Sequence, residues 1–171
     1  GDNPAPLLIV LHGMGGDENM FFEGYGLGMI RQIAADQGLL VAAPLTYRFG
    51  SNPENFDALV DQLSRDYAID RQRIYVLGHS LGAGATAGLA RSRAERIAAA
   101  CCVAGGSFPA SPSWAPTLAV IAELDAVVPG KPLQAAVQKG ASAGAPLEAR
   151  LMAGYGHTLV VGATLADCVD W

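Results

Sequence analysis

Short apolar runs alternate with longer helix-like segments along most of the chain, and this alternation constrains the fold more than any other feature. The apolar runs have the length and composition of buried strands and occupy residues 7–11, 39–43, 73–77, 98–104, 117–122 and 147–152. Segments with apolar residues at helical spacing occupy residues 20–36, 53–67, 81–91, 132–143 and 158–170. Strands that alternate with helices predict a parallel sheet with helices on both faces.

The size and composition of the chain fit one well-packed unit. Its 171 residues lie within the usual range for one globular domain, and the sequence shows neither an internal repeat nor a linker. We therefore expect a single domain over residues 1–171. Apolar residues make up 51% of the chain and charged residues 16%, which excludes a disordered protein and indicates a large buried core.

The charge and hydropathy patterns exclude two classes of partner. Sixteen acidic residues against eleven basic ones give a net charge of −5 without a basic run, so a nucleic acid would be repelled. The longest apolar stretches, residues 6–11 and 98–104, are too short to span a bilayer. We expect a soluble protein. The start at Gly1 without a leader-like segment suggests a mature or trimmed chain, which leaves open a cytoplasmic location or secretion after loss of a leader.

The cysteines and histidines do not form a metal-binding pattern. Cys101, Cys102 and Cys168 lie in apolar surroundings, which predicts small core residues. The alternative is one disulfide between Cys168 and a member of the adjacent pair, which requires an oxidising compartment. Because the cysteines are adjacent or distant and the histidines are scattered, we expect no metal site.

The most informative motif is Gly-His-Ser-Leu-Gly at residues 78–82, which matches G-x-S-x-G between a predicted strand and a predicted helix. Such a turn exposes a serine hydroxyl, provided that the residues two before and two after it lack colliding side chains. The turn also places Ser80 and the Leu81 amide at a helix N-terminus, where negative charge is favoured. A serine that only caps the helix is the alternative, and the strand-to-helix context favours a nucleophile.

A serine nucleophile needs a base, and usually an acid that orients the base. His79 lies inside the turn and His12 precedes it, whereas the expected chain order on this architecture is serine, acid and histidine. The expected base is therefore His157, which lies in a glycine-rich loop directly after the last strand. His12 is expected to hydrogen-bond neighbouring loops instead.

Four acidic residues lie between the serine and this histidine. Glu95 is expected to be a solvated charge, and Glu148 lies inside a predicted strand. Asp125 follows the fifth strand and stands at the carboxyl edge of the sheet, where ligand sites of parallel sheets occur. We expect Asp125 to be the acid, with Glu123 as a residue that either assists or replaces it.

The glycine-rich loop after the first strand, residues 12–17, can bring a backbone N–H close to a substrate oxygen. With the Leu81 amide, the Met14 amide would complete an oxyanion hole of two donors. A phosphate-binding loop is the rival interpretation, but neither of its glycine patterns is present. We therefore expect no cofactor.

Four motifs, spread over nearly the whole chain, are shared with a known superfamily. They are the first strand with its His-Gly ending at 8–13, the turn at 78–82, Asp125 ahead of Val128-Pro129, and Gly-His at 156–157. The sequence resembles the α/β-hydrolase superfamily and is most similar to small bacterial carboxylesterases of the phospholipase/carboxylesterase, dienelactone hydrolase and polyhydroxyalkanoate depolymerase-like groups. The resemblance implies about six parallel strands. It also implies the nucleophile Ser80, the acid Asp125, the base His157 and oxyanion amides at Met14 and Leu81.

The sequence departs from this family in two places. The two extra strands with which the family usually begins are missing, and the segment that normally holds a cap is reduced to residues 105–116. This link is too short for a lid domain. Serine rather than cysteine in the turn argues against dienelactone hydrolysis proper.

The motifs and the resemblance predict a cofactor-independent serine carboxylesterase that forms an acyl-enzyme with small-molecule or polymeric esters. Hydrolysis of thioesters or amides, or acyl transfer, on the same triad is an alternative, as is a non-catalytic binding module. A capless site suggests an open cleft for short acyl chains or for a bulky ester lying across the surface. The aromatic residues within 20–25 and 108–114 either contact substrate or belong to the core.

Overall fold

The protein is described here by a computed structural model, which covers residues 3–50 and 52–171 and contains one six-stranded parallel sheet with helices on both faces. Its strands are β1 (Ala5–Leu11), β2 (Leu40–Ala42), β3 (Ile69–His79), β4 (Ala99–Val103), β5 (Thr117–Ala122) and β6 (Leu147–Met152). Its helices are α1 (Ile30–Gln37), α2 (Thr46–Phe49), α3 (Glu54–Asp66), α4 (Leu81–Ser92), α5 (Gly130–Ser142) and α6 (Leu159–Asp170). The strands lie in the order β2-β1-β3-β4-β5-β6, and every neighbouring pair is parallel.

The first strand shows why both faces are covered. Leu7, Ile9 and Leu11 belong to a core cluster that includes residues of α3, α4 and α5, whereas Leu8 and Val10 belong to a second cluster with residues of α1 and α6. Successive side chains of a strand point to opposite faces, so a strand that is apolar at every position must be buried on both sides. The prediction of a doubly covered parallel sheet is confirmed.

The prediction of one helix over residues 20–36 is wrong. The chain forms a wide helical turn at Met20–Gly24 and a tight one at Tyr25–Gly28, and only then begins α1. The φ angles of Gly26, Leu27 and Gly28 are 56°, 55° and 73°, and this left-handed conformation interrupts a right-handed helix. The apolar spacing did not reveal the break.

The remaining elements differ from prediction mainly at their ends. The predicted limits of β5 and β6 are confirmed, β3 is longer than the predicted 73–77, and α2 was not predicted. The helical segment predicted over residues 53–67 ends one residue earlier, since α3 ends at Asp66 and the Tyr67 side chain is exposed. Gly38 ends α1 as its left-handed cap.

The link between β4 and β5 forms no helix or strand over residues 105–116. Phe108 and Trp114 are buried and stacked, with ring centroids 5.8 Å apart, so these two aromatic residues belong to the core. Among the described residues, no segment forms a lid domain over the carboxyl edge of the sheet. Within the same ranges, no helix has the length and apolar character needed to cross a bilayer. All three cysteines are buried and free, in agreement with the prediction of small core residues.

Candidate active site

The turn between β3 and α4 holds Ser80 in a strained backbone conformation. Ser80 has φ 53° and ψ −112°, a region that residues with a side chain rarely adopt. The flanking glycines allow this turn because a Cβ on Gly82 would lie 2.0 Å from the Leu11 carbonyl oxygen, and one on Gly78 would lie 2.2 Å from the Gly82 carbonyl oxygen. Close backbone packing therefore requires glycine at both positions.

The structure brings together three side chains that are distant in the sequence. Nε2 of His157 lies 2.9 Å from Oγ of Ser80, and Nδ1 of His157 lies 2.7 Å from Oδ2 of Asp125. Because an ionised carboxylate can only accept hydrogen bonds, Nδ1 carries the proton and Nε2 is free to accept the serine hydroxyl. The loops after β3, β5 and β6 supply these residues at one edge of the sheet, which we call the carboxyl edge.

The Asp125 carboxylate is buried and fully engaged. Its second oxygen, Oδ1, accepts hydrogen bonds from the amides of Val127 and Val128, each at 2.8 Å. Burial raises the pKa of Asp125, but the hydrogen bonds from His157 and from these two amides outweigh burial, so the pKa is lower than usual. The carboxylate is therefore a stable anion directed at the imidazole.

The alternative acid, Glu123, has a different partner. Its Oε2 accepts the Gly154 amide at 2.8 Å and thereby ties the end of β5 to the loop that carries His157. Of the two acids weighed from the sequence, the structure places Asp125 on the imidazole and Glu123 on the loop backbone.

Two backbone amides at the same edge are available to donate hydrogen bonds to a substrate. Leu81 is the first residue of α4, where an amide has no partner within its own helix. The loop after β1 packs against the turn, since a Cβ on Gly13 would lie 3.3 Å from Cβ of Ser80. The Gly13 amide donates to the Tyr25 hydroxyl and the Gly15 amide to the Tyr47 hydroxyl. Within residues 3–50 and 52–171, the Met14 amide between them has no hydrogen-bond acceptor.

The other two histidines lie beside this site without touching the serine hydroxyl. Nδ1 of His12 donates to the Gly13 carbonyl oxygen at 2.8 Å, and its Nε2 accepts the Thr46 amide at 3.1 Å, which is the loop-bracing role expected from the sequence. His79 is hydrogen-bonded to the Tyr25 hydroxyl and to the backbone carbonyl of His157. Tyr25 was expected from the sequence only as a substrate contact or a core residue, and its hydrogen bond to His79 was missed because the segment was interpreted as one continuous helix.

Large apolar side chains flank the site at its solvent side. Leu124 and Val127 adjoin Asp125, Leu159 adjoins His157, and all three side chains are more than 60% exposed. A groove of about 490 Å³ begins at Leu81 and follows α4. In the part of the chain that the structure describes, no group of three or more histidine, cysteine or acidic side chains is arranged to hold a metal ion.

Solved structures match almost the entire chain. The apoenzyme of S-formylglutathione hydrolase FrmB from Staphylococcus aureus has a TM-score of 0.83 and 15% identity over 99% of this chain and 81% of its own. FphF, a fluorophosphonate-binding serine hydrolase of the same organism, has a TM-score of 0.83 and 13% identity over 100% and 84% of the two chains. A thermostable esterase has a TM-score of 0.73 and 21% identity over 99% of this chain, which spans only 54% of that enzyme.

These likenesses define the fold. A scan of protein families and a search of curated proteins found no match. At 13–21% identity, the structural neighbours show architecture rather than activity. The chain has the α/β-hydrolase fold, with one parallel sheet of six strands and helices around it, as the sequence resemblance implied.

Proposed function

We propose that the protein is a serine carboxylesterase that hydrolyses esters through an acyl-enzyme on Ser80. The observation that carries this proposal is the continuous series of hydrogen bonds from Asp125 through His157 to the Ser80 hydroxyl, at 2.7 and 2.9 Å. The names of the structural neighbours, which are esterases and serine hydrolases, support the same class of reaction.

In the acylation half, Oγ of Ser80 attacks the ester carbonyl carbon while Nε2 of His157 takes the hydroxyl proton. The carboxylate of Asp125 stabilises the imidazolium that forms. The amides of Met14 and Leu81 donate to the oxyanion of the tetrahedral intermediate. The intermediate collapses with cleavage of the ester C–O bond, and the imidazolium gives its proton to the departing alkoxide.

In the deacylation half, water replaces the alcohol. The imidazole of His157 takes a proton from water as the water oxygen attacks the acyl carbon. The second tetrahedral intermediate then releases Ser80, which recovers its proton from the imidazolium, and the carboxylic acid departs. No cofactor or metal takes part in this scheme.

The open site favours esters that carry apolar groups and need no enclosing lid. Leu124, Val127 and Leu159 are exposed, lie within two residues of Asp125 or His157 in the chain, and offer apolar contact to a short acyl chain or to a bulky or polymeric ester. Rates across acyl lengths from acetate to palmitate test this idea. A marked preference for palmitate would contradict the open, shallow site.

A thioester is the second candidate substrate, because one of the structural neighbours is named an S-formylglutathione hydrolase. The same triad would attack a thioester carbonyl and expel a thiol. Parallel assays with an alkyl ester and a thioester of the same acyl group compare the two candidates directly, since they differ only in the leaving group.

Labelling with a fluorophosphonate tests the proposed function. We expect wild-type protein to be modified at Ser80, and Ser80→Ala to lose about 10³-fold or more in hydrolysis of p-nitrophenyl acetate with the fold retained. Ser142→Ala, an exposed serine at the end of α5, is the matched control. A folded wild-type protein that resists the probe, or a Ser80→Ala variant with unchanged turnover, would contradict the proposal.

A further inference from the structure

His79 is a buried imidazole next to the ring of His157, and both of its ring nitrogens are hydrogen-bonded. Its Nδ1 lies 2.7 Å from the Tyr25 hydroxyl, and its Nε2 lies 2.9 Å from the backbone carbonyl oxygen of His157. The Tyr25 hydroxyl lies 3.2 Å from the Gly13 amide nitrogen. The rings of His79 and His157 are also in contact, with centroids 4.8 Å apart.

The chemistry of these groups gives the chain of hydrogen bonds one direction. The His157 carbonyl can only accept, so Nε2 of His79 carries a proton. Nδ1 then accepts the Tyr25 hydroxyl proton, and the Tyr25 oxygen accepts the Gly13 amide. Burial lowers the pKa of His79 to about 4, although the His157 carbonyl and the more distant Asp125 carboxylate act in the opposite direction. The His79 ring is therefore neutral at neutral pH, and each hydrogen bond keeps the donor and the acceptor given above.

This series of hydrogen bonds joins the loops that build the site. Gly13 immediately precedes Met14, whose amide is the proposed oxyanion donor, and His79 immediately precedes Ser80. The bond to His157 attaches to the main chain of the proposed base itself. The His79 imidazole thus connects three segments: the loop at residues 12–17, which we call the oxyanion loop, the turn at residues 78–82, and the loop after β6 that carries His157.

Packing holds the imidazole against the oxyanion loop. A Cβ on Gly13 would lie 2.7 Å from Nδ1 of His79, so the loop backbone rests directly on the ring. The Tyr25 ring meets His79 edge-on at 5.1 Å and Phe21 at 4.8 Å, which fixes the orientation of its hydroxyl. An apolar residue in place of His79 would leave the Tyr25 hydroxyl and the His157 carbonyl without these partners.

We propose that His79 is a positioning residue which, through Tyr25 and the His157 carbonyl, holds the oxyanion loop and the base in register with Ser80. This inference rests on the proposed function of the same site. It extends that function by giving a role in turnover to two residues, His79 and Tyr25, that do not touch the reacting atoms.

The hydroxyl of Tyr25 provides the most conservative test. Tyr25→Phe keeps the buried ring and removes only the hydroxyl, so we expect kcat for p-nitrophenyl acetate to fall about 10-fold or more, with KM changed less than about two-fold. The rate of fluorophosphonate labelling should fall by a similar factor. Tyr67→Phe, an exposed tyrosine just past α3, is the matched control and should keep wild-type rates. A folded Tyr25→Phe variant with wild-type kcat overturns the positioning role.

Two substitutions of His79 separate hydrogen bonding from packing. His79→Gln retains an amide that can donate to the His157 carbonyl, whereas His79→Leu retains only bulk. We expect the glutamine variant to keep at least about 10-fold more kcat than the leucine variant, whose loss approaches about 10²-fold. Equal losses in folded variants would mean that packing alone matters, which overturns the proposal. If His79→Leu does not fold, Tyr25→Phe and the tautomer below decide.

The tautomer of His79 can be measured without any turnover. In wild-type protein labelled with ¹⁵N-histidine, we expect the Nε2-protonated neutral ring at pH 7, with a slowly exchanging proton. A ring protonated at Nδ1, or a cationic ring, overturns the hydrogen-bond chain even in an active esterase. Absence of both labelling and hydrolysis in the wild type would instead overturn the proposed function, and with it the role in turnover, whatever the tautomer.

Discussion

The two edges of the sheet each carry a cavity, but they differ in chemistry. At the carboxyl edge, the groove that begins at Leu81 borders the turn where the Asp125 carboxylate, the His157 imidazole and the Ser80 hydroxyl are hydrogen-bonded in series. The His79 imidazole is hydrogen-bonded to the backbone carbonyl of His157 beside them. At the opposite edge, which we call the amino edge, a cavity of about 380 Å³ is lined by Cys101, Cys168 and apolar side chains, together with the polar side chains of Gln37, Arg73 and Asp170. The hydrogen bond with Cys168, together with burial, raises the pKa of the Cys101 thiol, which keeps it in the less reactive protonated form.

Backbone strain shows the same asymmetry. Ser80 and Ala104 have positive φ, and both directly follow strands at the carboxyl edge. Strained residues of this kind persist where surrounding structure holds them, and they cluster at functional sites. Converging polar groups and strain, rather than cavity volume, therefore distinguish the candidate site from the amino-edge cavity.

The largest expected effect lies at the carboxyl edge and separates its two acids. In Asp125→Asn, the amide can no longer serve as an anionic acceptor for Nδ1–H of His157, so the wrong tautomer is favoured and we expect kcat to fall about 10⁴-fold. Glu123→Gln is the control, since its carbonyl oxygen can still accept the Gly154 amide. Steady-state assays on p-nitrophenyl acetate measure both. A larger loss of kcat in Glu123→Gln than in Asp125→Asn would assign the acid role to Glu123.

The next effect concerns the glycines of α4. Gly82→Ala forces a Cβ into the Leu11 carbonyl oxygen, so we expect the free energy of unfolding to fall by about 3 kcal/mol or more. Gly88→Ala, on the same helix with nothing within 4 Å of the added Cβ, should raise it by about 0.5–1 kcal/mol. Urea titrations compare the two variants. Similar stabilities would mean that the turn tolerates a side chain at Gly82.

A pH-dependent effect of similar size comes from His79. Since burial lowers its pKa to about 4 from the ordinary value of 6.5, the unfolded chain binds more protons between these limits. The neutral His79 therefore contributes about 3 kcal/mol to the free energy of unfolding. This contribution is complete above pH 6.5 and is lost as the pH falls to about 4. Urea unfolding of wild type and His79→Gln across this range isolates the contribution. A parallel pH dependence in both proteins would contradict it.

The smallest effect is expected at the amino edge. Cys101→Ala removes a buried sulfur that lines the amino-edge cavity from the middle of β4, so stability should fall by about 1 kcal/mol while kcat stays within about two-fold of wild type. Denaturant titration measures the free energy of unfolding, and esterase assays measure kcat. A loss of kcat larger than 10-fold in a folded variant would show that the two edges are coupled.

Much of the candidate site was predictable because its signals are local or ordered along the chain. Gly78, Ser80 and Gly82 form a motif whose spacing reflects close backbone packing, and the structure shows that packing. Asp125 and His157 followed from chain order, because loops after parallel strands meet at one edge. The break at residues 26–28 was not predictable from apolar spacing, since the left-handed residues interrupt the helix without changing that spacing.

Sequence alone specifies the alternation of strands and helices and, within the candidate triad, the serine and the histidine, because periodicity and motif spacing depend on near neighbours. Tertiary structure alone decides that Asp125 rather than Glu123 meets the imidazole, and that His79 bonds to Tyr25 and to the His157 backbone. Those bonds join residues 54 and 78 positions apart, and each requires an orientation that only the packed loops impose. Hydrogen bonds depend on distance and angle within tenths of an ångström, which no pattern along the chain encodes.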